Sequence, residues 1–355
     1  MKYILLFIAI LYSIGSFSQT DSSKKLSFFG YLEGYYSKDL DKSSKGVRQP
    51  FFSNYGLNDR PDFNLVLAKL SYNAPQLRFN AGLMLGTYPR YGLVREPIVL
   101  NRAYELNVGV KLGIKKNIWL DAGIMRSHIG FENVLGKDQP NLTRSLLSET
   151  SPYYETGGRL SYTSANKKIY LAALVVNGWQ RISAKGDSAA IGTGMQLTIT
   201  PSSKLNITYS NYIGRGTATK KTRHYHNIYV ILRPGRKWLL IAGAGIGFQD
   251  ITGDSKKEEW FSPVFIVRYA IIKKIRLAVR AEYFDDKSGI MIPSATSAPF
   301  TTWGFSGNID YQFLKDCMFR IEYRLLKSPN LVYNSDDGPV NNNRSIGLAL
   351  IAWFN

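Results

Sequence analysis

Cysteine is almost missing: Cys317 stands alone in 355 residues, so no intrachain disulfide can form and stability must come from elsewhere. Long apolar runs are missing too. Beyond the first dozen residues nothing approaches the roughly 20 apolar residues of a helical membrane span, which excludes a helical membrane protein. Acidic residues are scarce beside basic ones, 26 against 45, for a formal net charge of +19. No basic helix, zinc-ligand spacing or nucleic-acid module accompanies that charge, so a nucleic-acid partner is not expected. Many cations instead fall in short connections: Lys115, Lys116, Lys167, Lys168, Lys204, Arg236, Lys237, Lys273, Lys274 and Lys315. There they would meet anionic lipid headgroups.

What the chain has is rhythm. In Phe319–Leu325 the residues Phe319, Ile321, Tyr323 and Leu325 take one face of a strand, and Arg320, Glu322 and Arg324 the other. Sixteen such segments can be marked, with cores at 27–37, 62–73, 77–88, 103–112, 118–126, 153–163, 169–179, 190–200, 204–213, 224–233, 238–249, 260–269, 275–285, 302–313, 317–327 and 345–354. Seven short connections alternate with eight long ones. This predicts an all-β fold: a transmembrane antiparallel β-barrel of about 16 strands, with periplasmic termini, short periplasmic turns and long extracellular loops. The leader agrees. Lys2, the apolar stretch Tyr3–Tyr12 and Ser16-Phe17-Ser18 before Gln19 read as a signal peptide over 1–18. Residues 19–355 then form a single barrel domain in the outer membrane of a Gram-negative cell. All six tryptophans (119, 179, 238, 260, 303 and 353) fall near segment ends, as expected of rings at the headgroup level.

Charges on the lipid face cost about 2–4 kcal/mol at the midplane for Arg or Lys, so the more apolar parity of each segment is assigned outward. That turns Arg78, Asn80 and Gly82 inward, and likewise Glu105, Asn107 and Lys111, with Tyr104 and Leu106 outward. Segments 7 and 11 do not resolve, being apolar or small on both faces, as if covered by an inserted loop. The connection Ser127–Pro152 is the candidate, because it mixes Ile129, Phe131, Leu142, Leu146 and Leu147 with charges. It is expected to fold into the lumen as a constriction carrying Ser127, His128, Phe131, Glu132 and Arg144. Among inward charges, Arg276, Arg280, Arg320 and Arg324 form an expected basic pore wall. Glu33, Glu105, Asp121 and Glu155 form an acidic one. Opposed, they would set a transverse field; the alternative is that they pair across strands.

Three other patterns carry less. Ser127-His128 with Glu132 has the residue types of a hydrolase, but neighbours in sequence point apart and no oxyanion-forming glycine motif surrounds them. His224 and His226 share a face that continues as Ile228, Val230 and Leu232, with no third metal ligand. Gly243-x-Gly245-x-Gly247 reads as a strand approached closely by another element, since no helix follows it. No cofactor, metal or catalytic residue is expected.

Several stretches resemble a known family. They are Gly30-Tyr-Leu-Glu-Gly-Tyr-Tyr36, Trp119-Leu-Asp-Ala-Gly-Ile-Met-Arg-Ser-His-Ile-Gly-Phe-Glu132 and Leu142-Thr-Arg-Ser-Leu-Leu-Ser-Glu-Thr-Ser-Pro-Tyr-Tyr-Glu-Thr-Gly157. Val176-Asn-Gly-Trp-Gln-Arg181, Ala281-Glu-Tyr-Phe-Asp-Asp-Lys287 and the closing Ile346–Phe354 add to them. Together they resemble the OmpL-like putative beta-barrel porin family common in Bacteroidetes outer membranes, apart from Asn355 following the terminal aromatic Phe354. The resemblance implies a passive channel for small hydrophilic solutes, to which the charge adds a weak anion preference. The alternative is a non-transporting barrel: a secretion or assembly accessory, or, third, a membrane hydrolase. Expected partners are outer-membrane lipids and lipopolysaccharide, the solutes and the barrel assembly machinery, with a homo-oligomer left open.

Overall fold

The computed structural model describes residues 25–41, 46–113, 115–183, 191–216, 221–250 and 257–355. The expected signal peptide lies outside them. Sixteen antiparallel strands close into one barrel. They are β1 (Leu26–Asp39), β2 (Pro61–Asn73), β3 (Leu77–Leu85), β4 (Ala103–Lys111), β5 (Ile118–Arg126), β6 (Tyr154–Thr163), β7 (Ile169–Val176) and β8 (Gly192–Ser202). The ring continues through β9 (Leu205–Arg215), β10 (Thr222–Leu232), β11 (Trp238–Asp250), β12 (Lys257–Ile272), β13 (Ile275–Asp286), β14 (Phe300–Leu314), β15 (Cys317–Lys327) and β16 (Asn342–Phe354). Each strand pairs with its neighbours in sequence, and β1 meets β16 from Gly30↔Phe354 to Asp39↔Ser345. Closure leaves no edge with unpaired backbone groups, which hydrocarbon would not tolerate.

The barrel is apolar outside and polar inside. On β15, Phe319, Ile321 and Tyr323 are exposed, whereas Arg320, Glu322 and Arg324 are buried. The two unresolved segments sort themselves the same way. On β7, Tyr170, Ala172, Leu174 and Val176 point inward, and on β11 Leu239, Ile241 and the three glycines do. The packed core therefore sits in the lumen, where loop residues such as Leu135, Leu142 and Leu146 meet the inner faces of the strands.

Three expectations of orientation need correction. Tyr104 faces inward: a bulge opposite Gly82 and Leu83 lets Ala103, Tyr104 and Glu105 all be buried. Trp179 and Trp260 lie near strand ends but inside the barrel, 4% and 1% exposed, with the Arg223 guanidinium 4.9 and 5.2 Å from their rings. A cation held between two faces outweighs the headgroup level for these two. Trp119 and Trp353 are half-buried on the inward parity of Asp121 and Ile351, so Trp238 and Trp303 are the tryptophans exposed on the outer face.

Gly123 on β5 has φ +122°, and a Cβ there would sit 2.2 Å from the Leu106 carbonyl oxygen. Its partner across β6, Gly157, is equally tight, at 2.0 Å from the Val175 oxygen. Backbone strain at one such position is of the order of 1–3 kcal/mol, before any clash. Gly123→Ala is therefore expected to lower the temperature at which the folded barrel changes its electrophoretic mobility. An unchanged temperature would show that the bend adapts.

Candidate functional site

Residues 127–152 leave β5, cross the lumen and return to β6 beside their starting point: the Ser127 N–H donates to the Tyr153 carbonyl at 3.1 Å. At the near side His128 is enclosed. Its Nδ1 lies 2.8 Å from Glu155 of β6, and its Nε2 lies 2.7 Å from the Asn211 carbonyl of β9. Both contacts need a proton on the ring nitrogen, so the imidazole is held as the cation. Next, Gly130 donates to Asn227 of β10 at 3.1 Å, and Phe131 packs edge-on to Tyr229, 5.7 Å between centroids. Short helix α1 (Thr87–Gly92) belongs to the second long loop; α2 (Leu146–Glu149) ends the crossing. A Cβ on Gly243 would touch Phe131 and one on Gly245 would strike Leu147 and Tyr225. The glycine run is the floor on which the loop lies.

The far wall grips the loop through three arginines. Arg320 of β15 pairs with Asp310 of β14 at 2.6 Å and donates to the carbonyls of Gly136, Gln139 and Pro140 at 2.6–3.1 Å. Arg280 of β13 donates to the Thr143 carbonyl at 2.7 Å and pairs with Glu282 and Glu322 at 3.2 and 3.1 Å. Arg324 donates to the Arg144 carbonyl at 2.9 Å and pairs with Glu282 at 2.6 Å. The carboxylates complete the clamp by accepting from the loop: Glu282 from the Leu146 N–H at 2.6 Å, Glu322 from the Thr143 N–H and hydroxyl. Within the loop, Arg144 donates to the Asn133 and Leu142 carbonyls, both at 2.6 Å, and Glu132 accepts from Ser145. So three of the four expected basic-wall residues sit against the loop rather than against water, at 0–2% exposure. Arg276 is the fourth, lower on β13, half-buried and bonded to Gln312.

The acidic set is paired as well. Glu33 accepts from Tyr55 at 2.8 Å and Asn64 at 3.0 Å, and Glu155 holds His128. Glu105 pairs with Lys69 and, at 3.0 Å, with Arg126; Asp121 takes a two-bond fork from Arg78 at 2.7 Å and Arg159 at 3.3 Å. The expected opposition of two walls thus resolves into local pairs. The last two groups differ from the clamp in being wet, with side-chain exposures of 17% for Lys69, 29% for Arg78, 46% for Arg126 and 23% for Arg159. They form a ladder across β2–β6. Toward the long-loop end the ladder runs into Tyr88, Tyr104, Tyr153 and Tyr154, around a cavity of about 10 Å³, room for no more than one water.

Two loop groups titrate in a useful range. Burial pulls the His128 imidazole down, but the Glu155 carboxylate outweighs it and leaves the ring above its usual value. Its contribution is complete below about pH 6.5 and is lost as pH rises through the folded value. Burial pushes Glu149 up to about 7. Between the free carboxyl range and that value the folded chain keeps a proton the unfolded chain has released, so stability again falls as pH rises. The barrel is expected to be less heat-resistant at about pH 9 than at about pH 6; the reverse order would mean that neither group is held as described.

The ladder and the Arg280–Arg324 clamp were within reach of the parity argument. Glu149 and the tyrosine waist were not, because they sit on irregular segments without a period. Ser127 offers no nucleophile geometry: its hydroxyl accepts from the Ile129 N–H at 3.1 Å, and both His128 nitrogens are occupied. His226 lies on the outer face, bonded to Tyr209 at 2.7 Å.

Solved structures share this architecture. OmpT of Vibrio cholerae, an outer membrane protein folded in vitro, superposes with a TM-score of 0.60 at 11% identity, covering 95% of this chain and 100% of its own. An anion-selective porin from Comamonas acidovorans gives 0.61 at 7% identity, over 93% and 99%. OmpF of Salmonella typhi in complex with daunomycin gives 0.59 at 10%, over 93% and 97%. At such identities the likeness is one of fold. No curated protein matches the sequence. The family described as "Putative beta-barrel porin-2, OmpL-like" matches residues 25–354, the barrel from its first strand to its last, and the chain belongs to that family of outer-membrane porins.

Proposed function

We propose that this porin is a passive channel for small hydrophilic solutes with a weak preference for anions, and that solutes pass along the β2–β6 wall. The wet ladder carries the reading. Its inward cations Lys69, Arg78, Lys111, Arg126 and Arg159 outnumber the acids Glu105 and Asp121, in the part of the lumen that the clamp leaves free. A low-dielectric barrel focuses that excess on whatever passes. On this reading the short turns and termini are periplasmic and residues 1–18 are cleaved. The host is a Bacteroidetes cell, and the partners are outer-membrane lipids with lipopolysaccharide, the barrel assembly machinery and the solutes, with a homo-oligomer as an open arrangement. Purified protein in planar bilayers should show discrete conductance steps and a reversal potential favouring chloride in a potassium chloride gradient. Replacing Arg78 and Arg159 with Gln should move that potential toward cations. An unmoved potential would take the ladder out of the path.

A second reading, a non-transporting barrel, is favoured by one observation: the tyrosine waist has room for about one water. Heat-modifiable protein that inserts into bilayers without conductance steps would establish it.

A further inference from the structure

At the short-turn end of the lumen, half the ring away from the ladder, the inner wall carries Arg233, Arg268 and Arg276. Arg268 of β12 keeps the inward parity of Val264 and Ile266, and its ladder partners are Leu239 of β11 and Ala278 of β13. Neither partner has a side-chain acceptor. Arg276 is diagonal to it on β13, two residues from Ala278, a separation of about 7–8 Å that long side chains cover. Arg233 follows Leu232, which pairs with Leu240, so it comes opposite Leu239 on the other side of Arg268. Among the described residues none accepts a hydrogen bond from the Arg233 or Arg268 guanidinium, and Arg276 bonds the neutral Gln312. Each Arg268 nitrogen is open to solvent, although the residue is half-buried; Arg276 is half-buried too, and Arg233 is exposed. The charges that act most on Arg268 are the cations Arg276, Arg320 and Arg233 and one acid, Asp310, which Arg320 already holds at 2.6 Å. Toward the crossing loop, the next inward residues, Ile231, Ile241 and Ile266, belong to the apolar cluster with Phe131 and Leu147. Like charges against such a roof repel at low dielectric, which is costly unless an anion completes them.

We propose that Arg233, Arg268 and Arg276 bind a phosphate-type oxyanion, inorganic phosphate or the phosphate group of a small solute, that enters from the short-turn side. Guanidinium forks match the oxygens of such an anion, and their charge does not titrate away in the working range. A carboxylate brings two oxygens and one charge to one fork. A phosphate brings three strong acceptor oxygens and up to two charges, and so answers several donors at once. Around Arg268 four guanidiniums meet one carboxylate, an excess that a monovalent ion offsets only in part. Lipid phosphates are kept out, because these side chains project into the lumen. The site stands apart from the porin reading, since binding here needs no passage through the barrel.

The test is calorimetry on the purified full chain in detergent, at fixed ionic strength and about pH 8, where phosphate esters are dianions. Inorganic phosphate, glucose 6-phosphate and acetate are the probes. Both phosphates are expected to bind, and acetate about tenfold more weakly or worse. Arg268→Gln should weaken both phosphates by about tenfold or more, the worth of one charge-assisted contact, and Arg276→Gln should weaken them too. Arg236→Gln, in the turn beyond Arg233, removes the same charge outside the site and should leave the affinity unchanged. Phosphate should also raise the heat-modification temperature of the wild-type barrel. Arg268→Gln should abolish that rise without lowering the phosphate-free temperature, because it removes a cation that has no partner. Tighter glucose 6-phosphate makes a phosphorylated solute the ligand and tighter phosphate makes it the free ion; either order supports the site. Neither heat nor a temperature rise with phosphate, from a heat-modifiable wild-type barrel, overturns the proposal. So does an affinity unchanged by Arg268→Gln, an equal loss with Arg236→Gln, or acetate binding as tightly as phosphate.

Discussion

Excising residues 129–151 and closing the gap with two or three glycines is expected to raise single-channel conductance several-fold while leaving a folded barrel. The join is short because Ser127 and Tyr153 are already hydrogen-bonded neighbours at the top of β5 and β6. What the excision removes is the element that touches β10 and β11 on one side and β13, β14 and β15 on the other, while His128 stays to hold β6 and β9. Leu146 and Leu147 on that element are wholly buried, worth roughly 25 cal/mol per Å² of apolar surface withdrawn from water. None of this holds the strands to each other, since the ladder of sixteen pairings runs through backbone groups on the wall. The wall charges also keep local partners without the loop: Arg320 has Asp310, and Arg280 and Arg324 have Glu282. A sixteen-stranded barrel so emptied is wide enough for an aqueous channel. Should a heat-modifiable product conduct no better than the parent, the restriction lies in the tyrosine waist and the loop is a strut.

That the loop crosses the lumen could be anticipated, and its path could not, for physical reasons. The strands are legible because a lipid face and a wet face impose a period of two on every crossing, as Phe319–Leu325 shows with exposed Phe319 and Ile321 beside buried Arg320 and Glu322. Where both faces are apolar, on β7 and β11, the period failed, and there the loop itself lies against the wall, in one core cluster with Ala172 and Leu174 of β7 and on Gly243 and Gly245 of β11. Tyr104 defeated the parity through a bulge, which shifts sides without changing composition. Trp179 and Trp260 defeated the segment-end argument instead, because Arg223, inward on β10, holds both rings inside the barrel. The charges Arg280, Arg320 and Arg324 were legible as inward, but what they face was not. A parity argument places a side chain on a wall and says nothing of the loop carbonyls opposite. The same limit hid Glu149, whose carboxyl is raised by a burial that leaves no mark in sequence.

Glu282→Ala should be the most damaging single change in the clamp. Glu282 accepts from Leu146 with one oxygen and pairs with Arg280 and Arg324 through the other, all of them buried. Its loss leaves Arg324 with the Thr143 hydroxyl, the Arg144 carbonyl and the face of Phe52, and no carboxylate. Removing one partner of a buried ion pair costs about 3–5 kcal/mol, more than replacing both partners by apolar groups of the same volume. The expected result is a lower heat-modification temperature together with flickering conductance, because the segment around Leu146 loses its anchor while the strands stay paired. Glu282→Ala combined with Arg324→Leu should recover part of both effects, since the second change removes the stranded cation. Replacing Arg280, Arg320 and Arg324 together with Gln follows the same logic. It strips three cations from Asp310, Glu282 and Glu322 and leaves five loop carbonyls with weaker donors, so a loosened loop is expected ahead of any simple change in ion preference. If the double variant is as unstable as the sum of its single changes and all variants conduct steadily, Glu282 and Arg324 are uncoupled and the clamp does not hold the loop.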